Sequence, residues 1–245
     1  MQVVEFHGTG KESSGQPKAG TPVMPISDLL EATTLRVDEH PMLLASGAYV
    51  LATDKLVGQD PLIWHEESEE VHDWNQLQIS QVHDRMLEPT GLQLYRVELN
   101  DGEESRRADK HSKSEWNSEL LRSRLLQFRT ELCRAGLEQV RQHLSARISG
   151  GQSTFQHQLV KGMVADILTT LYMTETWPED QLLSVKPDLS SDRVHAWMHE
   201  ELDEAFRQIQ RLGGGFGYLR QGVSAYIYAG QLVKNLLLAG KGDHS

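Results

Sequence analysis

One cysteine in 245 residues, Cys133, leaves no partner for an intramolecular disulfide and no thiol set for a metal, which makes a reducing, cytoplasmic setting the default expectation. Long apolar runs are also missing. None approaches the ~20 residues that cross a bilayer, so no membrane partner is expected. The opening Met1-Gln2-Val3-Val4-Glu5-Phe6 lacks the basic flank and apolar stretch of a signal peptide. Basic residues are in deficit as well: 24 Lys+Arg stand against 35 Asp+Glu, a net charge of −11. A whole-surface basic field is thereby excluded, and with it nucleic acid as the expected partner.

The remaining composition is that of a folded chain: 38% hydrophobic residues over a length that allows one large or two modest domains. The first hundred residues carry Gly8, Gly10, Gly15, Gly20, Pro17, Pro22 and Pro25 around short β-type runs at Val3 to Phe6, Ala48 to Ala52 and Leu92 to Leu99. The last run alternates apolar and polar positions and closes at Asn100-Asp101-Gly102, as a half-buried strand does. Asp101 to Ser114 has no apolar pattern and reads as a solvated connection.

From about Glu115 the period changes to that of helices. Leu121, Leu125, Phe128, Leu132, Ala135 and Val140 form one apolar stripe. A second helix is expected from Phe155 to Thr176, stopped by Pro178. A third follows Asp188-Leu189-Ser190-Ser191-Asp192 and ends at Gly213-Gly214-Gly215, and a fourth covers Gly222 to Ala239. The fold class expected is α+β, an N-terminal β domain over residues 1–112 followed by an antiparallel four-helix bundle over 113–245.

Particular residues in both halves match a family pattern. Arg147-Ile148-Ser149-Gly150-Gly151, then Gln158 after His157, then Ala165-Asp166-Ile167 keep the spacing of Arg-x-x-Phe-Gly, Gln and Ala-Asp/Glu-Met in the acyl-CoA dehydrogenases, which the helical half resembles. Gly214-Gly215-Phe216-Gly217-Tyr218 resembles that family's Gly-Gly-x-Gly-Tyr turn, and Ile227-Tyr228-Ala229-Gly230 its Ile-Tyr-Glu-Gly. In the β half, Thr21-Pro22-Val23-Met24-Pro25-Ile26-Ser27-Asp28 is similar to the Thr-Glu-Pro-x-x-Gly-Ser-Asp loop. Ala48-Tyr49-Val50-Leu51 with Lys55 is similar to Tyr-Val-Leu-Asn-Gly-x-Lys. The resemblance implies a chain that starts at the family's middle domain, without its N-terminal helical domain.

By resemblance, Thr21 and Ser27 would meet flavin, its pyrophosphate or acyl-CoA, while Arg147, Gln158, Gly214 and Gly215 would reach the flavin of a neighbouring subunit. A guanidinium suits a phosphate, and a glycine turn lets backbone N–H groups approach it. The departures are chemical. Val57-Gly58-Gln59 stands where the family has its flavin-facing Trp-Ile-Thr, so the cofactor is expected to be either none or FAD. Abstraction of an α-proton needs a carboxylate held at the α-carbon. The family's two places for it carry Ala229 and Ser123 here, the latter just before Arg124-Leu125, with Glu119 and Glu131 as the acids that could replace them.

Other constellations have bland readings. His195 and His199 share a helix face but have no clear third ligand, so two surface histidines are favoured over a metal site. Trp64-His65-Glu66-Glu67-Ser68-Glu69-Glu70-Val71-His72-Asp73-Trp74 reads as a solvated loop anchored by its tryptophans. His157 is a weak acid/base candidate against a hydrogen-bonded core histidine.

The resemblance implies a protein acting on an acyl thioester, carried by CoA or an acyl carrier protein in a biosynthetic pathway. Cyclisation, dehydration or isomerisation replaces dehydrogenation in that reading. The alternatives are a non-catalytic subunit of a full-length relative and an FAD-dependent oxidoreductase with a relocated base. Homo-oligomers, or hetero-oligomers with such a relative, are implied throughout.

Overall fold

The computed structural model of the chain describes residues 23–66, 68, 70–98, 118–182, 191–219 and 222–238. The strand expected at Val3 to Phe6, the connection at Asp101 to Ser114 and the division between residues 112 and 113 lie outside them. The order is mixed α+β as expected, with sheets first and long helices after.

A short helix, α1 (Ile26–Thr33), opens the described part. Two small sheets follow. Strands β1 (Leu35–Val37), β2 (His40–Ala45), β4 (Leu62–His65) and β5 (Glu70–Asp73) form one, in which β2 and β4 run parallel. Strands β3 (Tyr49–Ala52), β7 (Gln93–Glu98) and β6 (Gln78–Val82) form the other, antiparallel throughout. Helix α2 (Asp54–Val57) is a single capped turn after β3, with the Thr53 hydroxyl accepting from Leu56 N–H. The acidic run between Trp64 and Trp74 is not the long loop expected. It folds as the antiparallel β4–β5 hairpin, with Trp64 opposite Val71 and Trp74 edge-on to Tyr95 at 5.1 Å. Alternate side chains of a charged strand can face solvent, so charge density alone does not separate a hairpin from a loop.

The helical layer consists of α3 (Ser118–Ala146), α4 (Gln158–Leu182), α5 (Ser191–Gly213) and α6 (Val223–Leu238). Helix α3 packs on α1 and on all three other long helices, so it buries more than one stripe: Leu126, Phe128, Leu132, Cys133, Leu137 and Val140 are all inside. Each such leucine contributes roughly 1.5–3 kcal/mol of burial. Helix α5 keeps the cleaner pattern, burying Met198, Leu202, Ala205, Phe206 and Ile209 along one face. Gly230 of α6 lies where a Cβ would sit 2.7 Å from the Phe206 ring, so that ring of α5 packs directly on the α6 backbone.

Pro178 does not stop the second helix, which runs on to Leu182. A proline costs one backbone hydrogen bond but already holds a helical φ, so it can be carried inside a helix. Two tyrosines of α6 join the layers: the Tyr226 hydroxyl donates to the Met24 carbonyl at 3.2 Å, and the Tyr228 hydroxyl donates to Asp84. That phenol is pushed up to about 12, first by burial and then by the Asp84 carboxylate beside it.

Candidate functional site

Where the sheets face the helices, the structure forms a partly open cavity of about 50 Å³. Its walls come from α1, β1, β2, β3, the start of α3 and one residue of α6, Val233. Leu30, Met42, Leu43, Leu51 and Leu121 make the surface largely aliphatic. Thr33, Thr34, Ser46, Tyr49 and Arg124 supply the polar atoms, and no carboxylate lines it among the described residues.

The cavity forms near the segments in which the resemblance places the family's base. Arg124 and Leu125 of α3 are on its wall, directly after Ser123, and Val233 stands one helical turn beyond the fully buried Ala229. Ser123 and Ala229 are not themselves on the wall, and neither can take a proton from carbon. Glu131 is half-buried on the same helix, 3.8 Å from Arg134, and is not on the wall. The Glu119 side chain lies outside the described residues.

The other residues singled out by resemblance lie elsewhere. Arg147 is exposed just after α3, where its carbonyl accepts from the Thr154 amide at 2.7 Å and hydroxyl at 3.0 Å. Gln158 is the exposed first residue of α4. Gly214 and Gly215 are exposed in a short 3-10 turn after α5, and Gly214 has φ +49°. Phe216 in that turn stacks parallel on His143 near the end of α3, at 4.4 Å, which brings the turn to the end of α3 that precedes Arg147.

Ser27 does not join this group. It lies in the first turn of α1 rather than in a loop, against Gly91, where a Cβ would meet its side chain at 3.1 Å. Thr21 lies outside the described residues. His157 is not inside a helix. It has extended backbone one residue before α4, and its Nε2 is buried with no hydrogen-bond partner among the described residues. It is not on the cavity wall.

A flavin ring does not fit the segment that would face it. Val57 ends α2, and the amides of Val57, Gly58, Gln59 and Asp60 all donate to carbonyls within Thr53 to Val57. No aromatic face, hydroxyl or free backbone donor is offered there. The exposed Arg147, Gln158 and glycine turn keep chemistry suited to a phosphate, but they are not accompanied by a ring site.

A buried charged cluster in the helical layer was not anticipated. Arg129 of α3 is fully buried and donates to His199 Nδ1 at 2.6 Å, to the His199 carbonyl at 3.2 Å and to Asp203 at 2.5 Å. Lys234 of α6 donates to the other Asp203 oxygen. Burial, then the charge of Arg129, pushes the His199 imidazole down to about 3. Burial would raise the Asp203 carboxyl, but the Lys234 hydrogen bond and the Arg129 guanidinium together hold it below its ordinary range. With Nδ1 accepting from a guanidinium, His199 has no lone pair there for a cation. His195 and His199 are both buried, not surface residues, and no group of three metal-ligating side chains is in place among the described residues. The signal for the cluster was in the sequence: Arg129 stands four residues after Leu125, within the apolar stripe.

No family model and no curated protein sequence matches the chain. Its fold does match. A putative acyl-CoA dehydrogenase from Mycobacterium smegmatis superposes with a TM-score of 0.55 at 12% identity, covering 82% of this chain and 67% of that one. Butyryl-CoA dehydrogenase from Megasphaera elsdenii gives 0.52 at 10% identity, with 87% and 64% covered. The ChsE4-ChsE5 complex from Mycobacterium tuberculosis gives 0.52 at 13%, with 82% and 63% covered. The chain thus has an acyl-CoA dehydrogenase-like fold and spans about two thirds or less of the length of these solved chains.

Proposed function

We propose that this protein binds an acyl thioester, on CoA or an acyl carrier protein, in the cavity between its sheets and helices, and that it does not dehydrogenate it. The carrying observation is the composition of the cavity wall: aliphatic side chains, hydroxyls and Arg124, with no carboxylate among the described residues, beside the segments in which the resemblance puts an α-proton base. Dehydrogenation needs both that base and an acceptor for the β-hydride. The Val57 to Asp60 turn offers a flavin ring no partner. Cyclisation, dehydration or isomerisation in a biosynthetic pathway requires neither an oxidant nor a hydride acceptor. The division into a β domain to residue 112 and a helical domain from 113 belongs to the same proposal.

The test is incubation of the purified protein with acyl-CoA and acyl-carrier thioesters, with and without FAD and an electron-accepting dye. The expected result is no bleaching of the dye and a product of unchanged mass, or one lighter by a water. Dye reduction that depends on added FAD would overturn the reading and favour an oxidoreductase with a relocated base.

A second reading is favoured by a separate observation. Arg147, Gln158, Gly214 and Gly215 are all exposed, and α4 turns Leu159, Leu168 and Tyr172 outward. This suits a subunit that offers phosphate contacts and an apolar helix face to another copy or to a full-length relative. Light scattering on protein from the native host separates the two: a mixed complex supports the subunit reading, and a homogeneous single-chain species counts against it.

A further inference from the structure

The cavity wall bears on the identity of the acyl group. A volume near 50 Å³, at roughly 10–15 Å³ for each water-sized group, holds about four non-hydrogen atoms. A long acyl chain does not fit wholly within it. Apart from that of Tyr49, the hydroxyl hydrogens on its wall are already committed: Thr33 donates to the Leu29 carbonyl at 2.9 Å, Thr34 to that of Leu30 at 2.7 Å, and Ser46 to Glu66 at 2.9 Å. These groups can accept from a ligand but not donate to it.

Arg124 is the charged donor on this wall. The residue is half-buried, and its hydrogen bond is to a neutral group, the Gln127 side-chain oxygen at 2.9 Å. Among the described residues it has no carboxylate partner. Glu66, which lies beside the same wall through Ser46, is already paired with Arg122. A planar cation with several unused N–H groups, partly withdrawn from water, is matched best by a carboxylate. A methyl-ended acyl group would leave it unpaired, and a cationic one would be repelled.

We infer that the cavity selects an acyl group that is short and ends in its own carboxylate, the half-thioester of a short dicarboxylic acid, with Arg124 binding that carboxylate. This rests on the acyl-thioester reading above. The thioester end then faces the carrier, and the carboxylate meets the one charge on the wall that has no counter-charge among the described residues.

Calorimetric titration with two pantetheine thioesters of nearly equal shape tests it: the malonyl thioester and its apolar isostere, the isovaleryl thioester. The wild-type protein is expected to prefer malonyl by tenfold or more. Arg124→Gln should abolish that preference without weakening isovaleryl binding, and Arg124→Lys should restore part of it. Equal affinities, or tighter isovaleryl binding, would overturn the inference and leave the thioester reading standing. Monomethyl malonate provides the opposite separation. If it raises the melting temperature of the wild type but not of Arg124→Gln, while neither thioester binds, the carboxylate site stands and the thioester reading falls. A stable Arg124→Gln protein that binds malonyl pantetheine as tightly as the wild type would also overturn it.

Discussion

Two arginines five residues apart on α3 meet opposite fates. Arg129 has no exposed surface and is held by Asp203, His199 and, through Asp203, Lys234. Arg124 is half-buried beside a cavity and, among the described residues, has only Gln127. A buried charge held by a counter-charge organises a core, whereas one left without a counter-charge beside an open volume is suited to a ligand. The two sites therefore divide the molecule into a part that holds α3, α5 and α6 together and a part that remains free to bind.

The largest test of this contrast is acid. The folded-state pKa of His199 is depressed to about 3 from 6.5, so the unfolded chain binds the extra proton first as pH falls. Stability is then lost progressively from about pH 6.5 down to about 3, by an upper bound of about 5 kcal/mol from this residue. Asp203 acts in the same direction, since a depressed carboxyl pKa contributes stability that is lost as pH falls through it. Urea unfolding at pH 7 and pH 4 should show the drop, and His199→Gln should flatten it. An unchanged profile in that variant would break the assignment.

Removing the guanidinium comes next. Arg129→Ala leaves Asp203 with Lys234 alone and strips the donor from His199, and should cost about 3–5 kcal/mol in chemical denaturation. Smaller again is Gly230→Ala, where the new methyl meets the Phe206 ring; overpacking there should cost about 1–3 kcal/mol and lower the melting temperature. The smallest effect is expected at the other arginine. Arg124→Gln should change folding stability by less than about 0.5 kcal/mol, because no charged partner loses its mate. A large loss at Arg124 would erase the distinction between the sites.

The four long helices and the strand β7 were legible in the sequence because their periods of 3.6 and 2 follow from the geometry of burial, and β3 fell within an expected β-type run. Helix α1 was not, because the segment holding Ile26-Ser27-Asp28 matched a family loop. Its apolar side is buried and packs on α3, a partner some ninety residues away. The exit of α4 was misjudged for the opposite reason, since Pro178 is a strong local signal that the helix carries past. Of the site, the loss of a carboxylate at Ser123 and Ala229 could be read directly. The role of Arg124 could not, because its significance lies in which other groups are already committed.

Composition and spacing by themselves determined an acidic chain with one unpaired thiol, a β part before a helical part, and no acid at either expected base position. Those properties depend on residue identity and local period alone. The tertiary structure decided where charge is paired. The sequence places Arg129 within the apolar stripe but names no partner for it, and what separates it from Arg124 is a carboxylate some seventy residues away that reaches one and not the other.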